Sequence, residues 1–171
     1  MCRFFTQLNP CATVFVDDRA GVIADGPMGS GVVIDSQGGV RGVSCGASAS
    51  IRSGGNIEVN NIGNRSSLTA TGSIVTSSSG KYTQLNARGR ISCDQLLDHA
   101  KAHSKLEDIL IVNAHTASYA KAKTNLSVAY AFNRAQLIAS GNIFCNRSDP
   151  HASLSASHVS TGYVQLPTEL Q

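Results

Sequence analysis

The amino-acid sequence predicts an all-β fold: a single-stranded parallel β-helix (β-solenoid) with about 17 residues per rung and about eight rungs. Three observations predict it. Gly21, Gly38, Gly55, Gly72 and Gly89 recur in steps of seventeen. Two aliphatic columns keep the same step: Ile23, Val40, Ile57, Ile74 and Ile91 follow the glycines, while Ile34, Ile51, Leu68 and Leu85 precede the last four. Around these columns the sequence alternates small or aliphatic with polar residues, as in Ser66-Ser67-Leu68-Thr69-Ala70 and Thr83-Gln84-Leu85-Asn86-Ala87. Period-two alternation is the mark of a strand with one buried face.

No single copy of such a repeat can bury its own apolar side. Stacking copies at the strand spacing of about 4.8 Å sets like residue on like and closes a narrow core. The first 19 residues, with Phe4, Phe5, Val14, Phe15 and Val16, fall outside the phase and read as an N-terminal capping segment. Residues 20–160 form the solenoid. A third inward column runs through Met28, Cys45, Ile62, Ser79 and Leu96. The in-phase glycines are expected at a sharp corner with positive φ, and Asn56, Asn125 and Asn142 beside them tolerate such corners too.

Beyond Ile91 the phase slips by one residue within Lys105-Leu106-Glu107-Asp108 and then resumes through Ile109, Leu126 and Ile143 in one column and Ala102, Ala120, Leu137 and Leu154 in the other. Residues 93–106 taken alone read as a helix, with good helix formers and a passable helical stripe. The phase that continues through them favours an irregular rung instead. Residues 161–171 form a C-terminal cap or tail.

Composition agrees with a thin core. The chain has no Trp and only 5% aromatic residues, so its interior must be built from small side chains. The formal net charge of +3 comes from scattered residues and reads as a solvated surface, with no nucleic-acid partner. No apolar run is long enough for a transmembrane segment, and no signal-peptide stretch precedes Asp17 and Asp18. Five cysteines without CxxC spacing read as reduced thiols, which points to a cytoplasmic protein. Cys93 and Cys145 share an inward column three rungs apart, about 14 Å, too far to bridge.

No catalytic, cofactor-binding or metal-ligating residue is assigned, and no cofactor is expected. His99 and His103 would lie at i and i+4 on a helix, but no third ligand has suitable spacing, and on strands both point outward. His115, His151 and His158 read as surface residues. The adjacent carboxylates Asp17-Asp18 and Glu107-Asp108 read as solvated ends or turns. Gly26-Pro27-Met28-Gly29-Ser30-Gly31 lacks the Lys-Ser/Thr of a phosphate loop.

The repeats Leu68-Thr69-Ala70-Thr71-Gly72-Ser73-Ile74, Leu85 to Ile91 and Leu137-Ile138-Ala139-Ser140-Gly141-Asn142-Ile143 resemble those of two β-solenoid groups. One is the bactofilins, bacterial cytoskeletal proteins with a compact right-handed β-helix that polymerises end to end. The other is the filamentous-haemagglutinin type of secreted adhesin. The bactofilin resemblance implies a right-handed solenoid and a non-enzymatic scaffold that self-associates through its ends or faces, as a dimer or filament. The alternative is a β-helix that binds or modifies a ligand such as a carbohydrate.

Overall fold

The computed structural model describes residues 2–17 and 19–164. Every element among them is a β-strand, and two parallel sheets stack into a β-solenoid of about nine turns. One sheet has ten strands: β1 (Arg3–Phe5), β3 (Val22–Ala24), β5 (Val40–Cys45), β7 (Ile57–Ile62), β9 (Ile74–Ser79), β11 (Ile91–Leu96), β13 (Ile109–Ala114), β15 (Leu126–Ala131), β17 (Asn142–Ser148) and β19 (His158–Val164). The other has nine shorter ones: β2 (Thr13–Val16), β4 (Val33–Ser36), β6 (Ser50–Ser53), β8 (Ser67–Ala70), β10 (Gln84–Ala87), β12 (Lys101–Ser104), β14 (Tyr119–Ala122), β16 (Gln136–Ala139) and β18 (Ser153–Ser155).

The six-residue strands are bent. In β7, Ile57 and Val59 are buried, Asn60 and Asn61 both face solvent, and Ile62 is buried again. Two outward residues in a row break the alternation and turn the strand, so it supplies two walls of the core while the short strand supplies the third. The column that starts at Met28 therefore exists as expected, and Met28, Cys45, Ile62, Ser79 and Leu96 are all buried.

Register shows where the phase shifts. Leu85 pairs with Ala102, a step of seventeen, but Ile91 pairs with Ile109, a step of eighteen. The extra residue thus lies between Ser104 and Ile109, inside the stretch singled out in the sequence. Residues 93–106 form no helix, and their rung departs from its neighbours only by the extra residue after Ser104. Most of them lie in β11 and β12, paired in register with the neighbouring rungs, because those ladder bonds outweigh local helix propensity.

Two shifts escape the sequence pattern. Val22 pairs with Val40, a step of eighteen, so Val22 takes the buried place and Ile23 faces outward. Near the C-terminus Ile143 pairs with Val159, a step of sixteen. The N-terminal segment itself enters both sheets as β1 and β2, in register with β3 and β4, which is why there are about nine turns rather than eight. Asp18 and residues 165–171, which hold part of the expected C-terminal tail, lie outside the described residues.

The glycine expectation is corrected as well. None of Gly21, Gly38, Gly55, Gly72 and Gly89 has positive φ. They are needed because rungs approach closely there: a Cβ on Gly38 would stand 2.2 Å from the Ala20 carbonyl oxygen. Positive φ falls at a different corner, on Cys11, Gly31, Ser48, Arg65, Tyr82, His99, Ala117 and Arg134. Each of the first seven donates its backbone N–H to the next rung, as Tyr82 does to the Asp98 carbonyl and His99 to that of Thr116. That ladder bond, worth about 1 kcal/mol net, offsets the cost of about 1–2 kcal/mol of a left-handed L-residue.

Candidate functional surfaces

The expected chemistry is dispersed by the fold. His99 sits at the left-handed corner and stacks on Tyr82, ring centroids 4.9 Å apart, while His103 lies on the outer face of β12. They share no helix and form no metal pair, and among the described residues no group of three or more His, Cys, Asp or Glu side chains could hold a metal ion. Beside the Tyr82–His99 stack, Lys81 Nζ meets Asp98 at 3.0 Å. Its hydrogen bond with Lys81 holds the Asp98 carboxyl below its ordinary value. His115 hydrogen-bonds Gln95 at 2.8 Å and stacks on Phe132 at 5.1 Å.

Asp108 does more than end a turn. Its Oδ1 accepts hydrogen bonds from the Thr124 hydroxyl and from the Asn125 backbone N–H at 2.9 Å, and Arg90 stands 3.8 Å away. These bonds, the one from Thr124 first, hold its carboxyl below the ordinary range. It belongs to a side-chain ladder along the glycine corner. Asn56 Oδ1 accepts from Ser73 N at 2.9 Å, and Asn125 Oδ1 accepts from Asn142 N at 3.0 Å. Asn56 and Asn125 therefore act as acceptors for the next rung, not as residues tolerating an unusual backbone, and the Asn142 amide donates to Asn125.

The three inward cysteines, Cys45, Cys93 and Cys145, are buried free thiols, and Cys2 and Cys11 are exposed on the first rung. Burial pushes the Cys93 thiol up to about 12, so it stays protonated and inert.

Two surfaces remain with unsatisfied physics. The first is the pair of rod ends. β1 and β2 close one end and β18 and β19 the other, each the outermost strand of its sheet among the described residues. The ends differ. Arg3 pairs with Val22 and so occupies the first inward column, where it is exposed. At the other end that column stops at Val159, 44% exposed, and the short-strand column stops at the half-buried Leu154.

The second surface is the outer face of the short-strand sheet. Residues 88, 101, 105, 121 and 123 fall in three separate stretches of sequence, and all are exposed Lys or Arg. The register brings them onto three consecutive rungs: Lys101 pairs with Tyr119 and His103 with Lys121. Sequence reading by clusters missed this group. The signal was present in the step itself, since Arg88 lies seventeen before Lys105 and Lys105 eighteen before Lys123. A groove of about 390 Å3 opens beside them, lined among others by Thr69, Thr71, Asn86, Arg88, Lys105 and Leu106.

Comparison with protein-family models, with curated proteins and with solved structures returns no match.

Proposed function

We propose that the protein is a non-enzymatic structural element that self-associates through the C-terminal end of its solenoid. The observation that carries this is the contrast between the two ends. A parallel strand at the edge of a sheet presents unpaired N–H and C=O groups to any chain that can add to it, and inward-pointing charge is a known way of blocking such an edge. The ends share an apolar short-strand column, Val14 at one and Leu154 at the other, but in the first inward column Arg3 supplies that charge at one end whereas Val159 leaves the other apolar. Two C-terminal ends meeting about a twofold axis would pair β19 with its symmetry mate and cover both apolar columns in a closed dimer. The bactofilin-like reading of the repeat belongs to the same proposal and rests on the motifs of residues 68–74, 85–91 and 137–143.

Size-exclusion chromatography with light scattering tests it. The expected result is a dimer for the native chain and a monomer for Val159→Lys, with unchanged far-ultraviolet circular dichroism. A strict monomer of the native chain at high concentration overturns the proposal.

A further inference from the structure

We propose that the outer face of the short-strand sheet over β10, β12 and β14 binds a linear acidic polysaccharide, whose carboxylate or sulfate groups sit on a ladder of stacked cations. The ladder comes from the register. Arg88 N bonds the Ala70 carbonyl and Lys105 N that of Ala87, so Arg88 and Lys105 occupy one corner on successive rungs. Lys123 stands two residues beyond Lys121, as Lys105 does beyond His103, and His103 pairs with Lys121. Successive cations thus rise by about 4.8 Å.

No ion pair among the described residues neutralises them. The three ion pairs among the described residues, Arg41–Glu58, Lys81–Asp98 and Arg90–Asp108, use none of these side chains. The seven short strands from β6 to β18 contain no Asp or Glu at all. Stacked like charges repel one another, so the face is electrostatically strained until a polyanion lies along it. His103 shows the same field: after burial, Lys121 and Lys105 push its imidazole toward the neutral form.

The groove selects the class of polyanion. Beside Arg88 and Lys105 it presents the hydroxyl groups of Thr69 and Thr71 and the amide of Asn86, while Leu106, 52% exposed, offers an apolar surface to a sugar ring. Lys105 and Leu106 project from the stretch that holds the extra residue, which gives the groove its wall. Single-stranded nucleic acid is read by successive aromatic platforms on which bases stack; this face carries the half-buried Tyr119 beside Lys101, and no aromatic side chain lines the groove.

Isothermal titration with a heparin-derived octasaccharide at physiological salt tests the assignment. The native chain is expected to bind, and Arg88→Gln/Lys105→Gln/Lys123→Gln to bind at least about tenfold more weakly. The control Arg41→Gln/Arg65→Gln/Arg134→Gln removes equal charge from other faces and is expected to stay within about twofold of the native affinity. Equal weakening in both variants, or no binding by the native chain, overturns the site. A short DNA duplex of matched charge that displaces the octasaccharide at lower concentration overturns the polysaccharide assignment. Circular dichroism of both variants verifies that the solenoid is intact.

Discussion

Gly38 and Gly39 are adjacent, yet the fold asks different things of them. A Cβ on Gly38 would meet the Ala20 carbonyl oxygen at 2.2 Å and the Arg19 carbonyl oxygen at 2.6 Å, both backbone atoms that cannot rotate away. The nearest atom to a Cβ on Gly39 is the Asn56 carbonyl oxygen at 3.3 Å. Gly38→Ala is therefore expected to lower unfolding stability by about 1–3 kcal/mol, as overpacking does, with Gly39→Ala changing it by less than about 1 kcal/mol. Urea unfolding of the two variants measures the difference; equal losses would show that contact between rungs is not what selects glycine here.

The thiols give a second test at the same scale. Cys2 and Cys11 are exposed and Cys45, Cys93 and Cys145 buried, so the native protein should titrate two thiols with an aromatic disulfide reagent and five after denaturation. Cys93 also leaves a trace in pH dependence. Its folded pKa is raised to about 12 from an ordinary value of 9.0, so its contribution to stability is complete below pH 9 and is lost as pH rises toward 12. Cys93→Ala should flatten the alkaline fall in stability.

Among the elements, the side-chain ladder of the glycine corner is the most exposed to pH. Asp108 is its only titrating acceptor, and the Arg90 before it in the column is a donor that cannot continue the ladder. Because the folded pKa of Asp108 lies below its ordinary value of 3.8, its stabilisation is complete above that value and disappears as pH falls through the folded pKa. Acid titration followed by circular dichroism should show Asp108→Asn losing less stability than the native chain below about pH 4. A parallel loss in both would mean that the ladder bonds do not depend on charge.

The strands themselves were legible because one inward residue per wall repeats at a fixed step, which is how Ile57, Ile74, Ile91 and Ile109 announce a column. The left-handed corner was not. Its residues, Ser48, Arg65, Tyr82, His99 and Ala117, share a backbone conformation but no side-chain chemistry, because the ladder bond and not the side chain selects that conformation. A second close-packed glycine column, Gly29, Gly46, Gly63 and Gly80, keeps the same step and was readable, but its end at Leu97 hid it. The cationic face was invisible to any search for contiguous charge, since only the stack makes residues 88, 105 and 123 neighbours.

For the whole molecule, the decisive feature is that its two ends are not equivalent. Nine turns at about 4.8 Å make a rod of about 43 Å, whose sheets would continue without interruption if a second rod were added head to tail. In that arrangement Val159 of one copy would lie beneath Arg3 of the next, in a column otherwise filled by Val22, Val40, Ile57 and Ile74. An unpaired guanidinium enclosed there costs several kcal/mol, enough to disfavour the head-to-tail contact against the closed dimer proposed above. Replacing it removes that cost. Arg3→Val is expected to give polydisperse rods by light scattering and filaments by negative-stain microscopy, because a head-to-tail contact does not close on itself. Arg3→Lys, which keeps the charge, should remain dimeric. If Arg3→Val stays a dimer as well, the inward arginine is not what limits assembly.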